Sequence, residues 1–473
     1  MNPNADRIIQ TLAAHGHTAY YAGGCVRDKL LRRTPQDFDI ATSATPDQVQ
    51  PLFPRASDLQ GKAFGVVRVQ VGGEVFEVAT FRQDGPYADG RRPVSVTFAS
   101  AEEDAKRRDF TINGLFYDPI RDQVIDYVEG RADLERRLIR AIGDPEARFK
   151  EDALRLFRAI RFAGQLDFTI DPATWEAIVR LAPTSERLAP ERVRDEFIKC
   201  LTGPQPGRCY DLLDESGLLR VWIPECEKMK GVEQPPQFHP EGCVHTHTRL
   251  MLGMLRNPTP ELALSVLFHD IAKPETQTVD ATGRIRFNEH EVRGARLAER
   301  IMRRLRFSNE MIEAVTTCIA NHMAFKDVKN MRLSTLKRFL SRPHFDTELE
   351  LHRLDCTSSH GALDLYDFVV EKRNELAKTD LTPPPLITGR DLLAQGVPPG
   401  PTMGRILEIV RDEQLEGRLT SPSQALGFAL VIARDLLGPE ALAQTPPSAE
   451  PISPSEKKGA AKPPEATSAR IST

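Results

Sequence analysis

The sequence carries no excess of positive charge. Its 473 residues hold 63 Lys and Arg against 67 Asp and Glu, for a net charge of −4. Overall charge therefore does not advertise nucleic acid, and any surface for such a partner must be local. Cysteine is sparse, with seven residues scattered along the chain and no Cys-x-x-Cys pair. That argues against a disulfide framework or a structural zinc site and fits a reducing compartment. No apolar run approaches the roughly 18 residues a membrane span needs. The opening residues, MNPNADRIIQ, are polar where a signal peptide has an apolar core. A cytoplasmic protein without membrane contact is expected. No internal repeat is visible. What is present, 40% hydrophobic and 27% charged residues, is the composition of a globular chain long enough for two to four domains.

The pattern changes along the chain. Residues 7–15 predict a short amphipathic helix ending at Gly16, and 26–31 another. Residues 38–40 predict a strand. The stretches 63–71 and 74–81 alternate like paired strands joined by Gly72-Gly73. Residues 1–140 thus predict a mixed α/β domain with a small sheet. From 141 to 215 the periodicity is helical, and a second helical block rich in His and Asp runs from 216 to 375. Pro383-Pro384-Pro385 marks a linker, and 386–443 predicts two or three more helices. Residues 444–473, rich in Pro, Ser, Ala and Lys, bury too little apolar surface to offset chain entropy and predict a disordered tail. The fold class expected is α+β.

Asp37-Phe38-Asp39 places two carboxylates on one face of a strand, since side chains alternate with period two. Adjacent carboxylates repel unless a cation lies between them, and Mg²⁺ prefers oxygen ligands. Alone, such a pair is more often a solvated strand edge. Upstream, however, stands Gly23-Gly24-Cys25-Val26-Arg27-Asp28. Its glycines allow backbone amides to approach phosphate, and Arg27 can fork onto it.

These motifs, in this order, resemble those of the tRNA nucleotidyltransferase and bacterial poly(A) polymerase family. The glycine strand and Asp37–Thr42 are followed by Glu77-Val78-Ala79-Thr80-Phe81-Arg82. Then come Arg107-Arg108-Asp109-Phe110-Thr111-Ile112-Asn113 and Glu151-Asp152-Ala153-Leu154-Arg155, continuing through Arg158 and Arg161. The likeness covers roughly residues 20–215. It implies a polymerase-β-like nucleotidyltransferase head followed by all-helical neck, body and tail. It also implies catalytic Asp37 and Asp39 as Mg²⁺ ligands, with Glu77 as a third carboxylate. Gly24, Arg27 and Arg108 would contact the triphosphate. One departure is Gly114, where the family usually has alanine.

Asp152 and Arg155, three apart, would share a helical face. A carboxylate accepts and a guanidinium donates hydrogen bonds. The family uses this pair to read the Watson–Crick edge of C or A, and Arg158 and Arg161 continue the ridge towards phosphate. The glycine-rich loop 83–92 helps relatives switch from C to A addition, and its Asp89 and Arg92 are retained. Implied partners are the tRNA 3′ end, CTP and ATP. The arginine-rich stretches 131–140, 191–194 and 300–306 are candidates for RNA phosphate contact.

The second helical block carries His245-Thr246-His247, then Leu267-Phe268-His269-Asp270-Ile271-Ala272-Lys273, then His290, His322 and Asp355. These resemble the HD phosphohydrolase superfamily. The resemblance implies a divalent transition metal (Mn, Ni, Fe or Zn) held by His247, His269, Asp270 and Asp355, with His290 and His322 where two-metal members carry extra ligands. Such a metal activates water near neutral pH. Substrates of the 2′,3′-cyclic phosphate or phosphomonoester kind would follow.

The expected function is CCA addition to tRNA. Alternatives are poly(A) synthesis, CC-only or A-only addition, and, in another class, an RNA-binding regulator with an inactive head. The four tail cations Lys457, Lys458, Lys462 and Arg470 are few for a poly(A) polymerase of this family. The intact Asp37, Asp39, Arg108, Asp152 and Arg155 oppose an inactive head.

Overall fold

The computed structural model describes residues 1–53, 56–57, 65–85, 95–377 and 380–438. Most of the loop 83–92 and the whole of the tail 444–473 lie outside the described residues. The chain forms two compact units. Met1–Lys329 with Pro343–Glu371 makes one, and Asn330–Arg342 with Lys372–Thr473 the other. The segment Asn330–Arg342, inside the expected histidine domain, belongs with the C-terminal helices.

The larger unit begins with the helix Pro3–Ala14, started by the Asn2 side chain, which accepts from the Asn4 and Ala5 amides at 2.8 and 3.3 Å. Such a cap satisfies two of the donors every helix start leaves open. Ala5, Ile8, Ile9 and Leu12, spaced for one helical face, are fully buried. The strands are β1 (Ala19–Ala22), β2 (Asp39–Thr42), β3 (Ala56–Ser57), β4 (Val66–Val71), β5 (Glu74–Thr80), β6 (Leu115–Asp118) and β7 (Gln123–Asp126). They form one mixed sheet in the order β3-β4-β5-β2-β1-β6-β7. β2 and β5 run parallel with Ile40 opposite Val78, and the other pairs are antiparallel. The β4–β5 hairpin turns at Gly72 and Gly73, with φ of +62° and +87°. A two-residue turn with both φ positive matches the strand twist and favours glycine. Phe76, Val78 and Thr80 point into the core and Glu77 points out.

The neck is helical, as expected, apart from a two-residue parallel pair, Leu138–Ile139 with Thr169–Ile170, which the sequence pattern had not suggested. Its central helix, Leu154–Leu166, is buried on most of its surface. At Gly164 a side chain would meet Cys209 Sγ at 2.2 Å, so glycine lets the helix carrying Cys209 pack close. Helices Val244–Met254, Pro260–Phe268, His290–Arg304, Asn309–Asn321 and Phe345–Ser358 build the histidine region. A hairpin, Gln277–Val279 with Ile285–Phe287, lies between two of them in sequence. One apolar core runs through the unit from Ala5 to Leu354.

The smaller unit packs helices Leu333–Leu340, Gly389–Ala394, Pro401–Leu415 and Pro422–Leu437. Its core is Ile387, Leu392, Val397, Met403, Ile406 and Val410 against the small stripe Ala425, Ala429 and Ala433. Among the described residues of 386–443 the helices are three. Among the described residues, no helix is long and apolar enough to cross a membrane.

Candidate active site

Two clusters of the larger unit hold most of the residues singled out above. The first is a cleft of about 970 Å³ between sheet and neck helices. Gly24, Arg27, Asp37, Asp39, Arg108, Asp152, Arg155, Arg158 and Arg161 all line it. Ten lysines and arginines line it against five aspartates. The local positive surface that the net charge of −4 hides is here.

Gly23 ends β1 with φ +71°, and a side chain there would meet Arg108 Nη1 at 2.9 Å. The missing side chain lets the guanidinium lie against the strand end. Arg108 is fixed through Asp104, which is 1% exposed and accepts from Arg108 Nη2 at 3.0 Å and Arg107 Nε at 2.9 Å. Arg27 Nη1 donates to Asn113 Oδ1 at 2.8 Å.

Asp39 opens β2, and the parallel register sets it beside Glu77 on β5. Burial raises the Asp39 carboxyl above its ordinary range; Arg108 opposes the shift, and the Glu77 and Asp37 carboxylates add to it. Crowded oxygen donors of this kind fit a hard divalent cation. The three carboxylates do not gather into one set of ligand atoms within 4.8 Å. Glu77 stands outside the cleft lining and lies 3.6 Å from Arg68.

Asp152 and Arg155 do not share a helix. The helix Pro145–Glu151 stops, Asp152 adopts extended φ −144° and ψ 103°, and a new helix starts at Leu154. The Asp152 side chain accepts the Leu154 amide at 3.0 Å, the local bond by which aspartate diverts a chain from helix. Asp152 Oδ2 also accepts from Arg192 Nη2 at 2.8 Å. Arg155, 8% exposed, donates to Glu151 Oε2 at 2.6 Å and to the Arg148 and Arg107 carbonyls at 2.9 and 3.2 Å. Both reach the same cleft, each fixed by its own partners. Arg158 is paired with Asp109 at 2.8 Å through Nε, and Arg161 with Glu196 at 2.6 Å. Sequence reasoning missed these holders (Asp104, Asp109, Glu151, Arg192, Glu196), whose partners are distant or lie inside motifs already read for other roles.

The stretches proposed for RNA contact are partly engaged within the chain. Arg140 binds Asp133 and Glu129, Arg303 binds Glu299, and Arg304 binds Glu225.

The second cluster gathers all six residues of the histidine reading. His247, His269 and Asp355 form one set of converging ligand atoms, and Asp270, His290 and His322 another. His269 Nδ1 meets the Val266 carbonyl at 2.9 Å, His290 Nδ1 that of Phe287 at 2.7 Å, and His322 Nδ1 that of Ile319 at 2.6 Å. Those bonds occupy Nδ1 and leave Nε2 for the cluster. His269 Nε2 stands 3.1 Å from Asp270 Oδ2, yet both atoms are buried and neither makes a hydrogen bond. They lie side by side, as ligands of a common ion do. A buried polar atom left without a hydrogen bond, as His269 Nε2 is, costs about 1–3 kcal/mol. Burial opposes charge on His247, but the Asp355 and Glu241 carboxylates outweigh it and hold the ring up at about 9. His322, buried and beside His290 and His269, is pushed down to about 3. Imidazole and carboxylate donors together suit a divalent transition metal. Lys273 Nζ lies 2.7 Å from Asp270. A cavity of about 470 Å³ opens beside the cluster, lined by Phe238, Phe287 and Phe325 among others.

Three family models match the chain. A poly A polymerase head domain covers residues 19–140, a probable RNA and SrmB-binding site of polymerase A covers 167–230, and a putative tRNA nucleotidyltransferase domain 2 covers 293–429. The fold is thus that of a polymerase-type nucleotidyltransferase head followed by a helical neck. The CCA-adding enzyme of Geobacillus stearothermophilus is 49% identical over 212 residues, 45% of this chain and 52% of that one. With such relatives the chain matches only about half their length. The CCA-adding enzyme of Levilactobacillus brevis is 33% identical over 428 residues, 89% of this chain and 96% of that one. The crystal structure of the Bacillus stearothermophilus CCA-adding enzyme in complex with CTP superposes with TM-score 0.67 at 28% identity, covering 92% of this chain and 99% of that one. The Thermotoga maritima CCA-adding enzyme complexed with tRNA, 18% identical with TM-score 0.58 and covering 91% of this chain and 96% of that one, shares the fold. The chain belongs to the CCA-adding enzyme family.

Proposed function

We propose that this chain adds C, C and A to the 3′ end of tRNA, taking CTP and ATP in the arginine-rich cleft. The observation that carries the reading is the convergence of Asp37, Asp39, Arg27, Arg108, Asp152 and Arg155 on that one cleft. Asp37 and Asp39 hold Mg²⁺, with Glu77 as the neighbouring carboxylate. The ion supplies charge neutralisation for the triphosphate and activation of the RNA 3′ hydroxyl. Arg27 and Arg108 orient the triphosphate, pinned by Asn113 and Asp104. Asp152 and Arg155 present an acceptor and donors to the base edge. Transfer of this kind depends on positioning and on electrostatic stabilisation of the phosphoryl group. Arg158 and Arg161 keep the cleft wall positive and face the phosphates as half of fixed ion pairs.

The histidine cluster carries a second activity, metal-dependent hydrolysis of phosphate esters. His247, His269, Asp270 and Asp355 hold a divalent transition metal, with His290 and His322 completing the set. That metal supplies a nucleophilic water near neutral pH. The buried Nε2 of His269 and Oδ1 of Asp270, neither with a hydrogen bond, support the reading.

Two single substitutions separate the sites. Asp39→Ala abolishes nucleotide incorporation and leaves phosphodiesterase activity on a 2′,3′-cyclic nucleotide intact. His269→Ala does the reverse. Loss of both activities in either variant would refute independent sites.

A further inference from the structure

His269, His290 and His322 each anchor Nδ1 on the carbonyl three residues earlier. His247 differs. Its Nδ1 lies 2.6 Å from Glu241 Oε1, so a carboxylate stands where the others have a peptide oxygen. The same Oε1 lies 2.9 Å from His239 Nδ1. The rings of His239 and His247 are 4.9 Å apart and nearly perpendicular. The Glu241 side chain is 6% exposed, and its second oxygen is buried without a hydrogen bond. An ionised carboxylate so enclosed is costly unless its charge is used.

We infer that Glu241 is a positioning residue of the histidine cluster: it fixes His247 with Nε2 facing the metal, strengthens that nitrogen as a donor, and ties it to His239 in the cavity wall. The inference rests on the metal reading above and assigns a residue that reading does not contain. A carboxylate accepting a ligand histidine's other N–H orients the ring and increases its basicity. Glu241 lies six residues before His247, ahead of the helix Val244–Met254 that carries the ligand. The loop before the helix thus reaches back to the ring. Sharing Oε1 makes the position of His239, which lines the 470 Å³ cavity, depend on the same carboxylate.

The test uses the full chain, stripped of metal with a chelator and titrated with Mn²⁺ or Ni²⁺ by calorimetry, with melting followed in parallel. Glu241→Gln keeps the shape and removes the charge, and Glu241→Ala removes the contact. The expected result is a 10–100-fold weaker affinity for Glu241→Ala, a smaller loss for Glu241→Gln, and an unchanged melting temperature for metal-free Glu241→Gln. The rise in melting temperature on adding metal shrinks with affinity. A merely structural glutamate would lower metal-free melting and leave affinity alone, which overturns the inference. Wild-type affinity in both variants overturns it too. If the wild-type chain binds neither ion, the metal reading itself fails and this assignment falls with it.

Discussion

Asp109 shows how a motif residue serves a site by holding one of its arginines. It is 8% exposed, and its two oxygens are divided. One accepts from its neighbour's amide at 2.8 Å and from Asn113 at 3.1 Å, the other from Arg158. Burial pushes this carboxyl up, but the Arg158 guanidinium and the Asn113 amide outweigh it and hold it at about 2. Because folding lowers this group, its contribution is fully present above the unfolded value near 3.9 and is lost as pH falls through about 2. It amounts to about 2–3 kcal/mol at neutral pH. Asp109→Asn should lower the urea midpoint at pH 7 by a corresponding amount, and the gap to wild type should narrow at pH 3. An equal gap at both pH values would mean that the charge pair is not its source. The ion pair also fixes the charge of Arg158 in the cleft wall, so the stability and the electrostatics of the site share one contact.

At the level of elements, the break at Asp152 matters most. The sequence Glu151-Asp152-Ala153-Leu154-Arg155 reads as continuous helix, because spacing alone cannot tell a face within one helix from a junction between two. What decides is one side-chain bond, Asp152 to the Leu154 amide at 3.0 Å. The junction points Asp152 and Arg155 at the same cleft from separate supports. Asp152→Ala should therefore have two effects. Loss of the side-chain bond to the Leu154 amide costs about 1 kcal/mol, and incorporation assays with all four nucleotides should show relaxed base choice. Unchanged selectivity with reduced stability would make Asp152 a brace of the helix junction and nothing more. Strong local patterns were legible elsewhere: the Gly72-Gly73 hairpin, the apolar face of Pro3–Ala14 and the three C-terminal helices. The pair Leu138–Ile139 and Thr169–Ile170 was not, since two residues carry no period. Glu241 was hidden for another reason. A glutamate before a histidine helix is ordinary until the fold shows its carboxylate on the ring.

Across the whole molecule, the arrangement explains how a chain of net charge −4 offers a surface for polyanions. Ten cations are concentrated in one cleft, several of them held in place by carboxylates. The six residues of the histidine cluster were legible in the sequence because their order repeats a motif, and the structure brings their side chains together. The assignment of Asn330–Arg342 to the C-terminal unit was not, because it depends on packing across distant segments. If Asp152 and Arg155 choose the base in place of a template, the product has a defined end. The full chain is incubated with a tRNA lacking its last three nucleotides, first with CTP and ATP and then with ATP alone, and the products are sized and sequenced. The expected product carries three added residues, C, C and A, and does not lengthen with time, and ATP alone gives no run. A ladder of adenylates growing with ATP alone would contradict it.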